Sequence, residues 1–328
     1  METMLAAQMI GPGKMVCKEI SVRSPKEGEL LVKTLQASIC GSDLHVVYDD
    51  LSLFPPPAPP GFPGHEGMGE VVESRDKAFA LGDMVLTCPW PSDAGCFAEF
   101  QTISAAYCLK LPDYNGPIEY LLMAQQLGSV LYAFRRNKLD LHGKTVMIMG
   151  LGSAGNFFSY LAKRAGAAKV IASDLSEARI ALGSQFGVDV AVKAMHSNVV
   201  DAVMDHTNGQ GADFLIEAVG RSDSLLQSVD LVRTGGEMLL FGLPDTSEPV
   251  LFNFHDFFRK KLSAFSEYGV QHEPDLVSFS HALTLIAQEE IDVSPMVSHH
   301  FPLEQIDEAM RIARDRSDNA LKISITFP

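Results

Sequence analysis

A glycine-rich turn between an apolar segment and a helix-like segment constrains the fold of this chain more than any other feature. The turn is Gly150-Leu151-Gly152-Ser153-Ala154-Gly155; the apolar run Thr145–Met149 enters it and the helical pattern Ser153–Arg164 leaves it. This is the GxGxxG pattern. Its first glycine permits a tight turn, its second lets a pyrophosphate approach the backbone, and its third lets the helix pack on the strand. Because free N–H groups and the helix dipole hold phosphates, we expect the six residues to bind a dinucleotide.

Strand-like and helix-like segments alternate along the chain from Thr145 onward. They are Thr145–Met149, Ser153–Arg164, Lys169–Ser173, Glu177–Phe186, Asp213–Glu217, Leu225–Leu231 and Glu237–Phe241. Alternation of this kind predicts an α/β fold in which a doubly wound parallel sheet carries helices on both faces.

An acidic residue after the second strand indicates which dinucleotide binds. Asp174 follows Lys169–Ser173, nineteen residues after Gly155, and its carboxylate can accept hydrogen bonds from both ribose hydroxyls. Its negative charge would repel a 2′-phosphate, so NAD is expected rather than NADP. Arg179 leaves NADP open, because a guanidinium at this distance can swing toward a phosphate.

Two later strands end in glycine at the carboxyl edge of the predicted sheet, where ligands bind in open α/β folds. Val219 and Gly220 follow one of these strands, and Phe241, Gly242 and Leu243 end the other. These five residues are candidate walls of a nicotinamide site. The alternative is that they are simple strand ends.

The chain before the glycine-rich turn has a different pattern. Residues 1 to about 117 contain strand-like segments among glycine and proline clusters, with an extended proline-rich loop at Phe54–Pro63. Helical patterns cover Leu121–Arg136, Leu276–Glu289 and Leu303–Arg314, and Leu321–Ile325 reads as a closing strand. We predict domains at 1–120, 121–265 and 266–328, with the last returning to the first.

Two short segments in the first region carry metal-ligand chemistry. They are Cys40-Gly41-Ser42-Asp43-Leu44-His45 and Gly64-His65-Glu66. A thiolate, an imidazole and a carboxylate are the donors of a catalytic zinc, which three protein groups hold while a fourth position stays open. For Cys40 taken alone, the alternative is a buried apolar thiol.

The chain resembles the zinc-dependent medium-chain alcohol and polyol dehydrogenases over essentially its whole length. The motifs that carry the resemblance are CGSDLH at Cys40–His45, GHEGMGEVV at Gly64–Val72, GLGSAG at Gly150–Gly155 and GGEMLLFG at Gly235–Gly242. The resemblance implies a GroES-like catalytic domain, formed by both chain ends, around a Rossmann domain. It also implies an active site in the cleft between them.

The resemblance also implies the metal ligands. Cys40 and His65 match the first two zinc ligands of the family, and Glu66 matches the adjacent carboxylate that coordinates zinc in the polyol branch. Gln125 takes the place of the remaining ligand, where Cys, Asp or Glu is usual, and a neutral amide binds zinc more weakly. The lobe that carries a structural zinc in other members is missing, so we expect one zinc per subunit.

By the same resemblance, three residues serve the reaction. Ser42 accepts the proton of the alcohol and passes it through the nucleotide ribose to His45, while Asp43 fixes the tautomer of His65. The expected enzyme transfers a hydride between NAD and a secondary alcohol, sugar or polyol, or the matching ketone or aldehyde. Its expected state is a homodimer or homotetramer, paired through an edge strand Glu237–Phe241 and the apolar stretch Leu251–Phe258.

Two alternatives come from different classes of protein. One is a zinc-free, NADPH-dependent quinone or enone reductase of the same superfamily, whose members generally lack the cysteine and histidine pair. The other is a nucleotide-binding protein that has kept the fold and lost turnover.

The net charge limits the kinds of binding partner, and the cysteine content indicates the cellular compartment. The formal net charge is −15, spread along the chain, which disfavours nucleic acid and anionic membranes as partners. No apolar run approaches the length of a membrane span, and the N-terminus lacks the basic region of a secretory signal. Five cysteines at irregular spacing suit a reducing compartment, so we expect a cytoplasmic protein.

Overall fold

The computed structural model describes residues 3–49 and 51–328, and at 196 and 197 the backbone alone. These residues form two compact units. The first unit comprises the chain up to Ser129 together with Gly269–Pro328, and the second is Val130–Tyr268. The sequence placed these two boundaries at 120 and 265.

Strands and helices are numbered separately in chain order. The strands are β1 (Thr3–Gly11), β2 (Lys14–Ser21), β3 (Glu29–Ser38), β4 (Glu66–Ser74), β5 (Met84–Thr87), β6 (Phe100–Ser104), β7 (Cys108–Lys110), β8 (Thr145–Met149), β9 (Lys169–Asp174), β10 (Val190–Lys193), β11 (Ala212–Glu217), β12 (Val232–Leu240), β13 (Ser263–Ser266), β14 (Val297–Pro302) and β15 (Lys322–Thr326). The helices are α1 (Gly41–Tyr48), α2 (Glu119–Leu122), α3 (Ala124–Arg136), α4 (Ser153–Arg164), α5 (Glu177–Gly183), α6 (His196–His206), α7 (Ser222–Leu231), α8 (Phe254–Arg259), α9 (Val277–Ala287) and α10 (Ile306–Asp315).

The second unit is built on a parallel sheet in the order β10-β9-β8-β11-β12-β13. The chain steps outward from β8 through β9 to β10 and then returns to β11, on the other side of β8. This order has a topological switch point between β8 and β11, where open α/β sheets bind ligands. Strands such as β8 are apolar and buried along nearly their whole length because helices cover both faces. The predicted α/β fold class is confirmed.

One sequence expectation about this sheet is wrong. The segment Glu237–Phe241 was expected at the sheet edge, but β12 lies inside the sheet, between β11 and β13. The edge on this side of the sheet is β13, Ser263-Ala264-Phe265-Ser266. Sequence patterns missed β13 because it is four residues long and two of them are serine, which gives no strand signal.

The first unit contains a mostly antiparallel sheet in the order β14-β15-β3-β4-β5-β7, with β6 also paired to β3, and a separate ribbon of β1 and β2. The strand β15 pairs with β3. The C-terminal part of the first unit therefore joins the strand that leads to Cys40. Met9, Phe62, Phe97 and Met310 belong to the buried core of this unit.

None of the helices in the described part of the chain is both long and apolar enough to cross a bilayer.

Candidate active site

Three donor groups from two places in the sequence meet in the first unit. One donor atom each of Cys40, His65 and Glu66 lies within 4.8 Å of the other two. Cys40 follows the end of β3, and Glu66 begins β4, which is paired antiparallel with β3 at that same end. The pairing of Ser38 with Glu66 therefore brings the two sequence motifs together.

A short helix presents the residues that follow the cysteine. Helix α1 begins at Gly41 directly after Cys40, whose backbone N–H donates to Asp43 Oδ2 at 2.9 Å. This carboxylate caps the first turn of the helix, where free N–H groups favour a negative charge. Ser42 and His45 project from the same two turns. The sequence did not predict this helix, because Gly41 and two adjacent valines have low helix propensity.

The surroundings of His65 orient its ring. Nδ1 lies 3.2 Å from the carbonyl oxygen of Pro63 and 2.9 Å from Asp43 Oδ1. With two acceptors beside Nδ1, that nitrogen carries the proton, and Nε2 is left with the lone pair that a metal needs. Burial lowers the pKa of His65, but the charge of Asp43 and the hydrogen bonds that the ring donates to Asp43 and Cys40 outweigh it and raise the pKa well above its usual value.

Glu66 is hydrogen-bonded by residues that are distant from it in the sequence. Its Oε2 accepts a hydrogen bond from Lys322 Nζ at 2.7 Å and a second, short one from Ser38 Oγ. Both Glu66 and Lys322 are buried. Burial raises the pKa of Glu66, but the charges of Lys322 and His65, with the hydrogen bonds from Lys322 and Ser38, hold it below its usual value. The carboxyl group is therefore an anion, as a metal ligand must be.

The amide of Gln125, the expected fourth ligand, contacts the backbone of a donor residue. Its Nε2 donates to the carbonyl oxygen of His65 at 3.2 Å, so the side chain supports the backbone of a ligand residue. The neighbouring Gln126 contacts the thiol, and its Oε1 lies 3.8 Å from Cys40 Sγ. Both glutamines lie in the first turn of α3, where consecutive side chains point about 100° apart.

Zinc fits the donor set. Thiolate, imidazole and carboxylate are its usual ligands, and atoms within 4.8 Å of one another can close on a single ion. Glu66 Oε1 is buried and has no hydrogen-bond partner among the described residues. Such an oxygen is expensive to leave unsatisfied, and a cation beside it would remove that cost.

The two predicted proton carriers lie on α1. Ser42 Oγ is 3.5 Å from His65 Nε2, the ring nitrogen opposite the one beside Asp43. His45 lies one turn along the helix, and its Nδ1 is 2.7 Å from Asp49 Oδ2. This contact, which the sequence analysis did not anticipate, holds the His45 ring and gives its proton a carboxylate neighbour.

In the second unit the glycine-rich turn has the conformation that the pattern requires. Gly150 has φ of +91°, a left-handed value that favours glycine. A Cβ on Gly155 would lie 1.8 Å from the carbonyl oxygen of Gly150, so only glycine lets α4 pack against the strand. A Cβ on Gly152 would have one neighbour within 4 Å, Arg179 Nη1 at 3.9 Å, so this side of the turn is open to a ligand. Ser153 and Ala154 form the first turn of α4.

Asp174, at the end of the adjacent strand β9, stabilises this turn by hydrogen bonds. Its Oδ2 accepts from Leu151 N–H at 2.8 Å, and its Oδ1 accepts from Ser176 N–H at 2.8 Å. The residue is 6% exposed, so its carboxylate is mostly enclosed by the chain. Each oxygen keeps further lone-pair capacity for a ribose hydroxyl. The guanidinium of Arg179 lies on the Gly152 side of the turn.

The five predicted nicotinamide-wall residues lie together at the carboxyl edge of the sheet. Val219 and Gly220 follow β11, and Phe241, Gly242 and Leu243 follow the adjacent β12. A Cβ on Gly220 would lie 2.0 Å from the carbonyl oxygen of Leu243. The two turns are therefore in direct backbone contact.

Sequence reasoning missed Lys322, Gln126, Asp49 and Glu217. Lys322 begins an alternating strand, where lysine ordinarily faces solvent. Asp49 had a detectable signal, because an acid four residues after a histidine on a helix places the two side chains on one face.

The chain is similar to known proteins in both units. Residues 26–113 match the alcohol dehydrogenase GroES-like domain, and residues 154–282 match the zinc-binding dehydrogenase domain. The L-threonine 3-dehydrogenase of Pyrococcus furiosus is 28% identical over 323 residues, covering 90% of this chain and 91% of that protein. The crystal structure of L-idonate 5-dehydrogenase from Escherichia coli superposes with a TM-score of 0.84 at 23% identity and covers 99% of both chains. An alcohol dehydrogenase from Thermotoga maritima superposes with a TM-score of 0.82 at 25% identity and covers 100% of both chains.

Proposed function

The chain belongs to the zinc-type medium-chain dehydrogenase family, and we propose that it transfers a hydride between NAD and a secondary alcohol, sugar or polyol, or the matching carbonyl compound. The observation that carries this proposal is the meeting of Cys40, His65 and Glu66 within 4.8 Å. The zinc-free reductases considered above generally lack the cysteine and histidine, and these donors are well suited to holding a zinc ion.

Each donor has a defined task in this proposal. Cys40, His65 and Glu66 hold the metal, while the amide of Gln126 contacts the thiol and Gln125 supports the backbone of His65. When bound, zinc polarises the substrate oxygen, and the nicotinamide exchanges the hydride with the substrate carbon. Asp43 keeps the Nδ1 proton of His65 in place, so that Nε2 faces the metal position.

The proton of the substrate hydroxyl leaves through α1. Ser42 takes it, because its Oγ lies beside the ligand nitrogen of His65. His45, whose Nδ1 lies 2.7 Å from Asp49 Oδ2, would receive the proton next. From His45 it reaches solvent.

The preference for NAD rests on Asp174. Its carboxylate ends β9 beside the glycine-rich turn and leaves a negative charge where NADP would place a phosphate. Turnover measured with both cofactors tests this preference, and a clear preference for NADP would reverse the assignment and point to Arg179 as the phosphate ligand.

We also propose that the protein is a homodimer or homotetramer. The edge strand β13 offers unpaired backbone groups, and Leu251, Phe254 and Phe258 of the same unit are 79%, 65% and 70% exposed. Exposed aromatic side chains beside an open sheet edge favour pairing with another copy of the same strand.

An activity screen with zinc quantified tests the function. Purified protein is assayed with NAD on a panel of secondary alcohols, polyols, sugar acids and L-threonine, and with NADH on the matching carbonyl compounds. We expect turnover on at least one member of the panel and its loss, together with the zinc, in Cys40→Ala. Full turnover in a zinc-free Cys40→Ala protein would contradict the proposal.

A further inference from the structure

Glu217 is a buried carboxylate that the proposed reaction does not use. It ends β11 at the carboxyl edge of the sheet and is 3% exposed. Burial raises the pKa of Glu217, although hydrogen bonds from Ser224, Gly220 and Val219 act in the opposite direction. Burying a carboxylate costs free energy unless hydrogen-bond donors surround it. The donors around Glu217 therefore show which part of the backbone its side chain positions.

The side chain of Glu217 binds the turn that follows its own strand. Oε1 accepts from the N–H groups of Val219 and Gly220 at 2.9 and 3.0 Å and from Ser224 Oγ at 2.8 Å. Oε2 lies 3.2 Å from the same Gly220 nitrogen. Both oxygens therefore hold Gly220, which has φ of +82°.

The main chain of Glu217 binds the turn that follows the neighbouring strand. Its carbonyl oxygen accepts from the N–H groups of Phe241 and Gly242, both at 2.9 Å. A Cβ on Gly242 would lie 2.1 Å from the Gly220 nitrogen and 2.8 Å from Glu217 Oε2. One residue is thus bonded to both turns where their backbones touch.

We propose that Glu217 is a positioning residue for the nicotinamide end of the dinucleotide, because it fixes the corner formed by Val219–Gly220 and Phe241–Leu243. The inference rests on the proposed function, which requires a nicotinamide ring at this corner. The ADP-ribose half is held elsewhere, by the glycine-rich turn and Asp174 on β8 and β9. Removing the Glu217 charge should therefore weaken binding of the nicotinamide end of the cofactor and leave binding of the ADP-ribose half unchanged.

The test compares two ligands, NADH and ADP-ribose, which lacks the nicotinamide ring. Their Kd values are measured by calorimetry for the wild-type protein and for Glu217→Gln. A glutamine that keeps its oxygen at the Oε1 position turns its NH2 group toward the N–H of Gly220, so that donor meets donor. We expect the Kd for NADH to rise about tenfold or more, while the Kd for ADP-ribose stays within about twofold. Equal weakening of both ligands, or no change for NADH, would overturn the proposal.

Asp213 provides a matched control on the same strand. It lies at the opposite end of β11 and accepts hydrogen bonds from Thr145 N–H at 2.7 Å and from Arg233 Nε at 2.6 Å. Asp213→Asn also removes a carboxylate that holds backbone, but away from the corner, so the ratio of the two Kd values should stay as in the wild type. A shift in that ratio as large as that of Glu217→Gln would contradict the assignment.

A milder variant covers the case in which Glu217→Gln does not fold. Ser224→Ala removes the hydroxyl that donates to Glu217 Oε1 and keeps the charge. It should raise the Kd for NADH more than the Kd for ADP-ribose, and an equal rise of both Kd values would count against the proposal.

A wild-type protein that binds neither ligand would contradict the proposed function itself. Binding of both ligands by the wild type, with unselective losses in the variants, would contradict this inference alone.

Discussion

Lys322 Nζ lies 2.7 Å from Glu66 Oε2, so a residue of the last strand neutralises a carboxylate of the candidate metal site. The two residues are 256 positions apart and both are buried. The pair adds a charge contact to the pairing of β15 with β3, so the site formed by β3 and β4 has its counter-ion on β15.

Replacing Lys322 by methionine should strongly destabilise the metal-free protein. The change leaves a buried anion without its partner, which costs about 3–5 kcal/mol of unfolding free energy. Denaturant unfolding of the chelator-treated protein measures this. The exposed pair Lys14–Asp307 supplies the control, because Lys14→Met should cost less than about 1 kcal/mol. Equal effects of the two substitutions would contradict the account.

The same variant should reverse the pH dependence of stability in acid. The pKa of Glu66 in the folded wild type lies below its usual value, as described above. A carboxyl group of this kind contributes stability above its unfolded pKa of about 4.3, and that contribution is lost as the pH falls through the folded value. In Lys322→Met only His65 and Ser38 remain to oppose the effect of burial on Glu66, so we expect the pKa of this carboxyl to rise and its protonation to increase the stability as the pH falls from neutral. Parallel pH profiles for the two proteins would show that Lys322 does not hold Glu66 as an anion.

His45 and Asp49 should act together on the rate of turnover. We expect His45→Ala to lower kcat by about 100-fold and to alter its pH profile, because general acid–base groups contribute factors of this size. Asp49→Asn removes only the carboxylate beside the ring and should have a smaller effect in the same direction. Steady-state kinetics from pH 5 to 10 measure both. A normal pH profile in His45→Ala would place the proton path elsewhere.

Two glycines of the nucleotide turn should respond differently to alanine. In Gly155→Ala the new Cβ would meet the carbonyl oxygen of Gly150, so overpacking should cost about 1–3 kcal/mol of stability. In Gly152→Ala the nearest neighbour of the new Cβ would be a flexible guanidinium nitrogen of Arg179 at 3.9 Å, so the fold should keep its stability. The Gly152 variant should nevertheless bind NADH more weakly, because the methyl group faces the pyrophosphate. Unchanged NADH affinity in this variant would contradict the assignment of that face.

The exposed aromatic residues near β13 should control assembly. Phe258→Glu places a charge beside the exposed ring of Phe254, whose centroid lies 6.3 Å away, and should shift the protein toward monomers, because a buried unpaired charge opposes association. Sedimentation velocity measures the change. Leu81→Glu, at a 71% exposed position in the other unit, is the control and should leave the assembly as it is. The assignment of this surface fails if both variants assemble like the wild type.

The sequence predicted the features that depend on neighbouring residues. Four motifs identified the family and the enzyme class, both of which are confirmed, and the alternation of strands and helices predicted the α/β fold. The metal donors could be found because Cys40 lies in one short motif and His65 and Glu66 in another. Their meeting follows from the pairing of β3 with β4.

The features that sequence reasoning missed depend on contacts between distant residues. Lys322 has no local signal, since its partner is 256 positions away. Gln125 and Gln126 are adjacent, so a motif cannot tell which amide faces the thiol, whereas the direction of α3 can. Glu217 resembles any acid at a strand end until its bonds to two turns are visible. NAD specificity, the substrate and the assembly remain predictions.

The most direct test of the metal site is X-ray anomalous scattering at the zinc edge, from crystals grown with zinc. We expect one peak per subunit, about 2.3 Å from Cys40 Sγ and about 2.0–2.1 Å from His65 Nε2. A fully zinc-supplied crystal with no peak there, or with the two side chains turned away from each other, would contradict the account.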